Sequence, residues 1–378
     1  MTPIRLGMIG GGQGAFIGAV HRMAARLDGQ YVLVAGALSS DPARAVASGA
    51  GLGLDPARCY TDFVAMAGAE AARPDGVEAV AIVTPNHLHA PAARAFLARG
   101  IHVICDKPLT ATLDEALALT AEAQAARAHF VVTYTYSGYP MVRQARQMVA
   151  DGALGRIRLV QVEYAQDWLT TPVETQGSKQ AEWRADPVRA GLGGAVGDIG
   201  THAFHLAQFV SGLRVERLAA DLAACVPGRV LDDNGHILLR FEGGARGMLW
   251  CSQVAPGFAN SVRIRIFGED GGLDWCQDDA NTLRHTPTGE ATRLITRGGP
   301  GATQPTRVPA GHPEGYIEAF ASVYADAAAL IRGGAAPHLP LVAEGRDGVA
   351  FVAAAVESSR RDAAWVSLAD RIATHISQ

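Results

Sequence analysis

Cysteine is sparse: five in 378 residues, scattered at Cys59, Cys105, Cys225, Cys251 and Cys276. No CxxC pair occurs, so the commonest zinc and dithiol motifs are excluded, and an odd, unclustered set fits reduced thiols in a cytosol. No uncharged apolar run reaches the roughly 18 residues that a membrane-spanning helix needs. The start, Met1-Thr2-Pro3-Ile4-Arg5, turns glycine-rich by Gly10 without the apolar core of a secretory signal, so the expected location is cytoplasmic. Neither charge dominates: 33 Lys+Arg stand against 37 Asp+Glu, a formal net charge of −4. No basic patch stands out, which argues against a nucleic-acid partner. What remains is ordinary for a globular protein, 48% hydrophobic and 19% charged, and excludes a wholly disordered chain. At roughly 150 residues per domain the length predicts two or three domains.

The first third alternates strand-like and helix-like stretches. Apolar runs at Ile4–Ile9, Tyr31–Leu38, Val77–Val83, Ile101–Cys105 and Phe130–Thr133 read as strands. Between them, Asp41-Pro42 reads as a helix start, Pro91–Arg99 as a helix closed by Gly100, and Thr112-Leu113-Asp114-Glu115 as a capping box. This alternation predicts an α/β fold: a doubly wound parallel sheet covered on both faces. Beyond about residue 140 the pattern changes. Strands are expected at Ile157–Tyr164, Ile237–Phe241, Met248–Val254 and Val262–Phe267, where Val262-Arg263-Ile264-Arg265-Ile266 alternates strictly. One clear helix, about Ile199–Val210, interrupts them. An open, mainly antiparallel sheet with helices on one face is predicted, followed by a long Gly/Pro/Thr-rich loop over 286–312 and helices at Glu314–Arg332 and Arg346–Arg361. The expected division is 1–138 for a dinucleotide-binding domain and 139–378 for a substrate-binding and oligomerisation domain, with a C-terminal helix packing back.

Three clusters carry chemistry. Gly10, Gly12 and Gly18 follow a strand and lead into a helix, where glycines let backbone approach a pyrophosphate. The spacing is irregular: Ala15 stands where a third glycine belongs, or Phe16-Ile17-Gly18 is a local insertion. The candidate cofactor contacts here are Gly10, Gly12, Gln13, Gly14, Ala15, Phe16 and Ile17. The ribose-binding acid expected about 20 residues on is replaced by Ser39, with Ser40 and Asp41 following. Two hydroxyls can bond a ribose diol, and Asp41 repels a 2′-phosphate. Arg44 is the counter-argument, since a cation suits that phosphate. NAD is therefore the expected cofactor and NADP the lesser alternative.

Asp106-Lys107-Pro108 lies at the carboxyl end of a strand, the edge where ligands bind such sheets. Lys107 reads either as a hydrogen-bond donor or proton relay, or as a surface lysine in a turn. Asp198 and His202 in Gly197–His202 are four apart, on one face of a helix. They read as a carboxylate-supported general base, or as a helix cap and a core histidine. His205 invites a metal reading, but no HExxH or cysteine set accompanies it, so no metal is expected.

Taken together and in this order, Gly10–His21, Thr84-Pro85-Asn86-His87-Leu88-His89, Asp106-Lys107-Pro108, Trp183-Arg184-Ala185-Asp186 and Gly197–His202 resemble the Gfo/Idh/MocA oxidoreductases over essentially the whole chain. The chain departs from that family's usual Glu-Lys-Pro at Asp106 and from its ribose-binding acid at Ser39. The resemblance implies an N-terminal Rossmann domain and a C-terminal α/β domain with an open sheet, with Lys107, Asp198 and His202 as the catalytic set. It also implies Thr84, Pro85, Asn86, His89 and Asp106 along the cofactor edge, and Tyr164, Asp167 and Arg184 beside a polyol. Within the family the chain is most similar to inositol dehydrogenases, particularly those acting on scyllo-inositol, some of which accept L-glucose. The implied reaction is NAD(P)-dependent oxidation of a secondary hydroxyl of a cyclic polyol or sugar. His202 or Lys107 would serve as the base, in a homodimer or homotetramer. Two rivals share the sequence features: a glycoside hydrolase of the same fold that uses NAD without net turnover, and a non-catalytic dinucleotide sensor.

Overall fold

The computed structural model describes residues 2–376 and divides into two units. The first comprises Met1–Thr110, Glu115–Gly138 and Tyr316–Arg346; the second comprises Ala111–Asp114, Tyr139–Gly315 and Asp347–Gln378.

The first unit is built on five parallel strands: β1 (Ile4–Gly10), β2 (Tyr31–Ala37), β3 (Ala79–Val83), β4 (His102–Cys105) and β5 (Phe130–Val132). Their order is β2-β1-β3-β4-β5, so the chain reverses direction across the sheet between β1 and β3. That switch point opens a crevice at the carboxyl edge, with Gly10 of β1 in register with Val83 of β3. Every residue of β3 is buried, as helices on both faces require. The crossovers are α1 (Phe16–Leu27), α2 (Pro42–Gly51), α3 (Phe63–Ala71), α4 (His89–Leu97) and α5 (Leu113–Ala125). Asp41 caps α2, accepting the Arg44 amide at 2.8 Å with proline in the first turn, and Asp62 caps α3 through the Ala65 amide. The unit also takes up a distant segment. Helix Tyr316–Ile331 packs on α1, where the His21 Nδ1 and Tyr324 hydroxyl lie 2.8 Å apart, and Pro340 accepts the Val132 amide. The shared core joins Met8, Val20 and Ile104 to Phe320, Val323 and Tyr324.

The second unit holds a nine-stranded sheet. Its strands are β6 (Ile157–Ala165), β7 (Val215–Ala223), β8 (Asn234–Phe241), β9 (Arg246–Ser252), β10 (Ser261–Gly268), β11 (Gly271–Cys276), β12 (Thr282–Pro287), β13 (Arg293–Thr296) and β14 (Val366–Ser367). The order is β13-β12-β11-β10-β6-β9-β8-β7-β14, antiparallel throughout except for the central parallel pair β6·β9. Besides Val342–Arg360, most of which belongs to this unit, its helices include α6 (Pro140–Ala150), the short α7 (Lys179–Arg184) and α8 (Pro187–Ala190), a π-helical segment Val196–Gly200, and α9 (Thr201–Ser211), which lies against β6. Alternate residues on β6, β8, β9 and β10 leave Leu159, Leu238, Met248 and Phe267 exposed, while Val160, Leu239, Leu249 and Ile266 are buried.

Two expectations are corrected. The 286–312 stretch is not wholly loop: β13 pairs with β12, Thr282 opposite Thr296. That strand is only four residues long, too short to stand out beside its Gly/Pro/Thr-rich neighbours. The region before β7 holds α6, α7 and α8 in addition to the expected helix, of which α7 and α8 are too short to develop a helical period.

Candidate active site

In the first unit, β1 delivers the chain to a glycine turn at the switch point. Gly11 has φ +72°, and a side chain on Gly18 would meet Gly11 Cα at 2.4 Å. Gly18, in the first turn of α1, therefore takes the place where that helix presses against the glycine turn. A Cβ on Gly12 would stand 2.6 Å from the Leu38 carbonyl and 2.9 Å from Ser48 Oγ, so β2 and α2 close that side. At Gly14 there is nothing within 4 Å. Ser48 Oγ accepts the Gln13 amide (3.1 Å), and Arg22 Nη1 donates to the Gly11 carbonyl (2.7 Å). Around this turn runs a cleft of about 530 Å³, lined by Gly12, Gln13, Phe16, Arg22, Ser48 and Leu52. Ala15 precedes α1 without a side-chain cap, and Ile17 packs on the core. Backbone free of side chains at a helix N-terminus is a cradle for a pyrophosphate, so the residues present fit a dinucleotide.

Beyond β2, Ser39 Oγ accepts the Asp41 amide (3.2 Å), Ser40 is exposed, and Asp41 spends one carboxylate oxygen on its helix cap. Arg44 is exposed. The ends of β3 and β4 are tied by His89. Its Nδ1 is 2.9 Å from the Pro108 carbonyl and its Nε2 is 2.9 Å from the Thr84 carbonyl. Burial pushes this imidazole below its ordinary pKa, although Asp106 opposes the shift. The ring thus braces the turn carrying Lys107 against the one carrying Thr84, Pro85 and Asn86. Asp106 Oδ1 accepts both the Lys107 amide (2.8 Å) and the Thr133 hydroxyl (3.1 Å), which fixes the backbone on which Lys107 stands.

In the second unit, Asp198 lies inside the π-helical segment rather than at an N-cap, and His202 falls in the first turn of α9. Such segments recur at functional sites. Asp198 Oδ2 accepts from Arg184 Nε (3.2 Å) and Gln253 Nε2 (2.9 Å). Gln253 Nε2 also reaches Gln166 Oε1 (3.1 Å), which accepts Trp168 Nε1 (2.9 Å). Gln166 Nε2 donates to Asn260 Oδ1 (2.6 Å), and that oxygen accepts the Tyr164 hydroxyl as well (2.8 Å). The Tyr164 and His202 rings lie 6.0 Å apart between centroids. One network thus joins Asp198, Arg184 and Tyr164, with the His202 ring beside it. Asp167 sits between two of its members and engages through its carbonyl, which accepts the Thr170 amide at 3.0 Å. His205, by contrast, is a core histidine: it stacks on Phe209, and burial pushes its pKa down to about 3. Among the described residues no group of three or more His, Cys, Asp or Glu stands ready to hold a metal ion.

Sequence reasoning passed over Gly11, Arg22 and Ser48 in the first unit and Gln166, Trp168, Gln253 and Asn260 in the second. Neutral amides carry no spacing signal. Their one common trait is position: Gln166, Gln253 and Asn260 all lie just outside strand ends.

Residues 4–136 match the oxidoreductase family with an NAD-binding Rossmann fold, and residues 142–274 match the GFO/IDH/MocA C-terminal domain. The chain is 54% identical to an oxidoreductase of solved structure from Sinorhizobium meliloti, covering 97% of this chain and 100% of that one, with a TM-score of 0.88. It is 38% identical to an inositol dehydrogenase homolog from Azotobacter vinelandii solved with NADH and myo-inositol, over 97% and 98% of the two chains (TM-score 0.89). It is also 30% identical to the levoglucosan dehydrogenase of Pseudarthrobacter phenanthrenivorans, over 72% of this chain and 73% of that protein. With its parallel-sheet nucleotide unit, its glycine cradle and these likenesses over nearly the full length, the chain belongs to the Gfo/Idh/MocA family of NAD-binding oxidoreductases.

Proposed function

We propose that the protein oxidises one secondary hydroxyl of a cyclic polyol, an inositol such as scyllo-inositol or a sugar such as L-glucose, to the ketone or lactone. The observation that carries this reading is the hydroxyl-reading network around Asp198: Arg184, Gln253, Gln166, Asn260 and Tyr164 supply donors and acceptors in one patch beside His202. Such a density of neutral and charged hydrogen-bonding groups suits a substrate that is itself mostly hydroxyl. The likeness to an inositol dehydrogenase homolog and a levoglucosan dehydrogenase supports the substrate class.

Bound NAD supplies the acceptor for the hydride leaving the carbinol carbon. His202 takes the hydroxyl proton. Asp198, hydrogen-bonded by Arg184 and Gln253, orients the substrate and stabilises the charge that His202 acquires. Lys107 donates a hydrogen bond to the reacting oxygen as it becomes anionic. Of the chain's 33 basic residues only Lys107 and Lys179 are lysines. In a sequence that otherwise uses arginine, an amine at the Asp106-Lys107-Pro108 turn suits a compact point-charge donor rather than a planar guanidinium fork. In this reading cofactor binding belongs to 1–138, with Gly10, Gly12, Gln13, Gly14, Ser39, Asp41, Thr84 and Asn86 among its contacts, and polyol binding to 139–378.

The exposed apolar residues Leu159, Leu238, Met248 and Phe267 on the nine-stranded sheet form the face through which we expect a homodimer or homotetramer. The five free cysteines fit a reducing cytoplasm. No helix among the described residues is long and apolar enough to cross a membrane. The test is NADH absorbance with a panel of inositols, aldoses and levoglucosan. Steady NADH formation with a cyclic polyol supports the reading. Sugar release without net NADH, as in an NAD-using glycoside hydrolase, or no turnover at all, as in a dinucleotide sensor, defeats it.

A further inference from the structure

We infer that Asp232 and Asp233, at the entrance to β8, are positioning residues that hold Asp198 in place from three directions. Asp232 Oδ1 accepts the Gly194 amide (2.7 Å), its Oδ2 accepts the Val196 amide (2.8 Å), and its carbonyl accepts the Ala195 amide (2.8 Å). Three consecutive amides are thus bound by one residue. These amides open the helical stretch that carries Asp198 and His202, and Ala195 offers that stretch no side-chain cap of its own. First-turn N–H groups need an outside acceptor, and a carboxylate there also favours the helix dipole. The approach is tight, since a Cβ on Gly194 would stand 2.0 Å from the Asp232 carbonyl.

Asp233 works on the partners of Asp198. Its carbonyl accepts the Gln253 amide (2.8 Å), and the Gln253 side chain donates to Asp198 Oδ2. Its buried carboxylate accepts from the Cys225 amide (2.8 Å), the Val226 amide (3.0 Å) and Arg229 Nη1 (2.9 Å). Arg229 in turn grips Glu174 through Nε and Nη2 (2.9 and 3.0 Å) and the Leu169 carbonyl through Nη1 (2.9 Å). That fixes the loop running on from Gln166 and Trp168. Two adjacent acids therefore set the helix bearing Asp198, the amide that bonds it, and the loop beside it. The hydrogen bonds of both acids go to these other groups, so both act on Asp198 through them.

The inference rests on Asp198 and His202 being catalytic, and its test separates the two ideas. Wild type, Asp232→Asn and Glu174→Gln are compared by steady-state kinetics on the polyol that wild type oxidises, and by amide hydrogen exchange over 193–204 without substrate. The asparagine is isosteric but presents an N–H to one of the two amides that the carboxylate accepts. Asp232→Asn is expected to lower kcat at least about tenfold, the scale of a small misplacement of reacting groups. KM for NAD should stay within about twofold, and exchange at 194–196 should speed at least about tenfold. Glu174→Gln is expected to raise polyol KM severalfold with kcat largely kept, because it loosens the loop and not the helix. A kcat for Asp232→Asn within about twofold of wild type overturns the inference. If wild type oxidises no polyol, the proposed function fails, and the exchange data still decide: wild-type protection at 194–196 in Asp232→Asn overturns the positioning role.

Discussion

Acid should destabilise the first unit through His21, by an amount that the structure sets. His21 lies on α1, fully buried, with its Nδ1 2.8 Å from the Tyr324 hydroxyl and the Phe320 ring at 4.6 Å. Its Nε2 has no hydrogen-bond partner among the described residues. Burial pushes the pKa from 6.5 down to about 4, Asp106 pulling the other way and Arg22 and His89 adding to the fall. The folded state therefore resists a proton that the unfolded chain accepts. Stability from this group is whole above pH 6.5 and drains away as pH falls towards 4. At about 1.4 kcal/mol per pKa unit the full loss is about 3 kcal/mol, and about 2 kcal/mol is gone by pH 5. His89 and His205 drain stability in the same direction, so the contribution of His21 must be isolated by difference. His21→Gln keeps a polar group near Tyr324 but cannot titrate. Urea unfolding of both proteins at pH 7 and pH 5 gives the comparison: the variant should lose about 2 kcal/mol less than wild type between the two pH values. Equal losses would refute the argument, whatever the variant's stability at pH 7.

Other perturbations test the cofactor and the chemistry. Gly18→Ala forces a Cβ to 2.4 Å from Gly11 Cα, so it should cost about 1–3 kcal/mol and weaken NADH binding at least about tenfold by fluorescence titration; unchanged affinity would contradict the close-approach role. Lys107→Met should cut turnover at least about 100-fold, the scale of losing an oxyanion donor, with the NADH dissociation constant nearly unchanged; wild-type turnover would remove Lys107 from the mechanism. Wild type should show a higher kcat/KM with NAD than with NADP, and Asp41→Asn, which keeps an α2 cap but removes the charge, should narrow that preference. A preference for NADP in wild type would contradict the argument from Asp41.

The first unit is legible in the sequence because its buried parallel strands are continuous apolar runs, and because its turns are marked by Gly10–Gly14, Asp41-Pro42 and Gly100. The irregular glycine spacing is settled only in three dimensions, where Gly18 meets Gly11. Tyr316–Ile331 reads correctly as a helix, yet nothing local says that it packs on α1, since that depends on Tyr324 finding His21 and Tyr31 about 300 residues away. In the second unit Val262–Ile266 announces itself by alternation, whereas β7, with Leu218-Ala219-Ala220 buried in a row, and the short β13 and β14 do not. The site divides along similar lines. Asp198 and His202 stand out by their four-residue spacing, Arg184 and Tyr164 only through the family resemblance, and the structure gathers all four around one network. The π-helical turn that displays Asp198 has no pattern in the sequence beyond the flanking Gly197 and Gly200. Gln166, Gln253 and Asn260 are brought together by the register of β6, β9 and β10, which only the assembled sheet defines.

In the proposed reaction a carbon-bound hydrogen of a cyclic polyol passes to NAD. The direct measurement is mass spectrometry of the reduced cofactor after turnover of carbon-deuterated inositol with unlabelled NAD. One deuterium is expected in each NADH formed, in step with ketone produced, with loss of both products in His202→Asn. Unlabelled NADH, or a consumed substrate with no NADH accumulating, would contradict it.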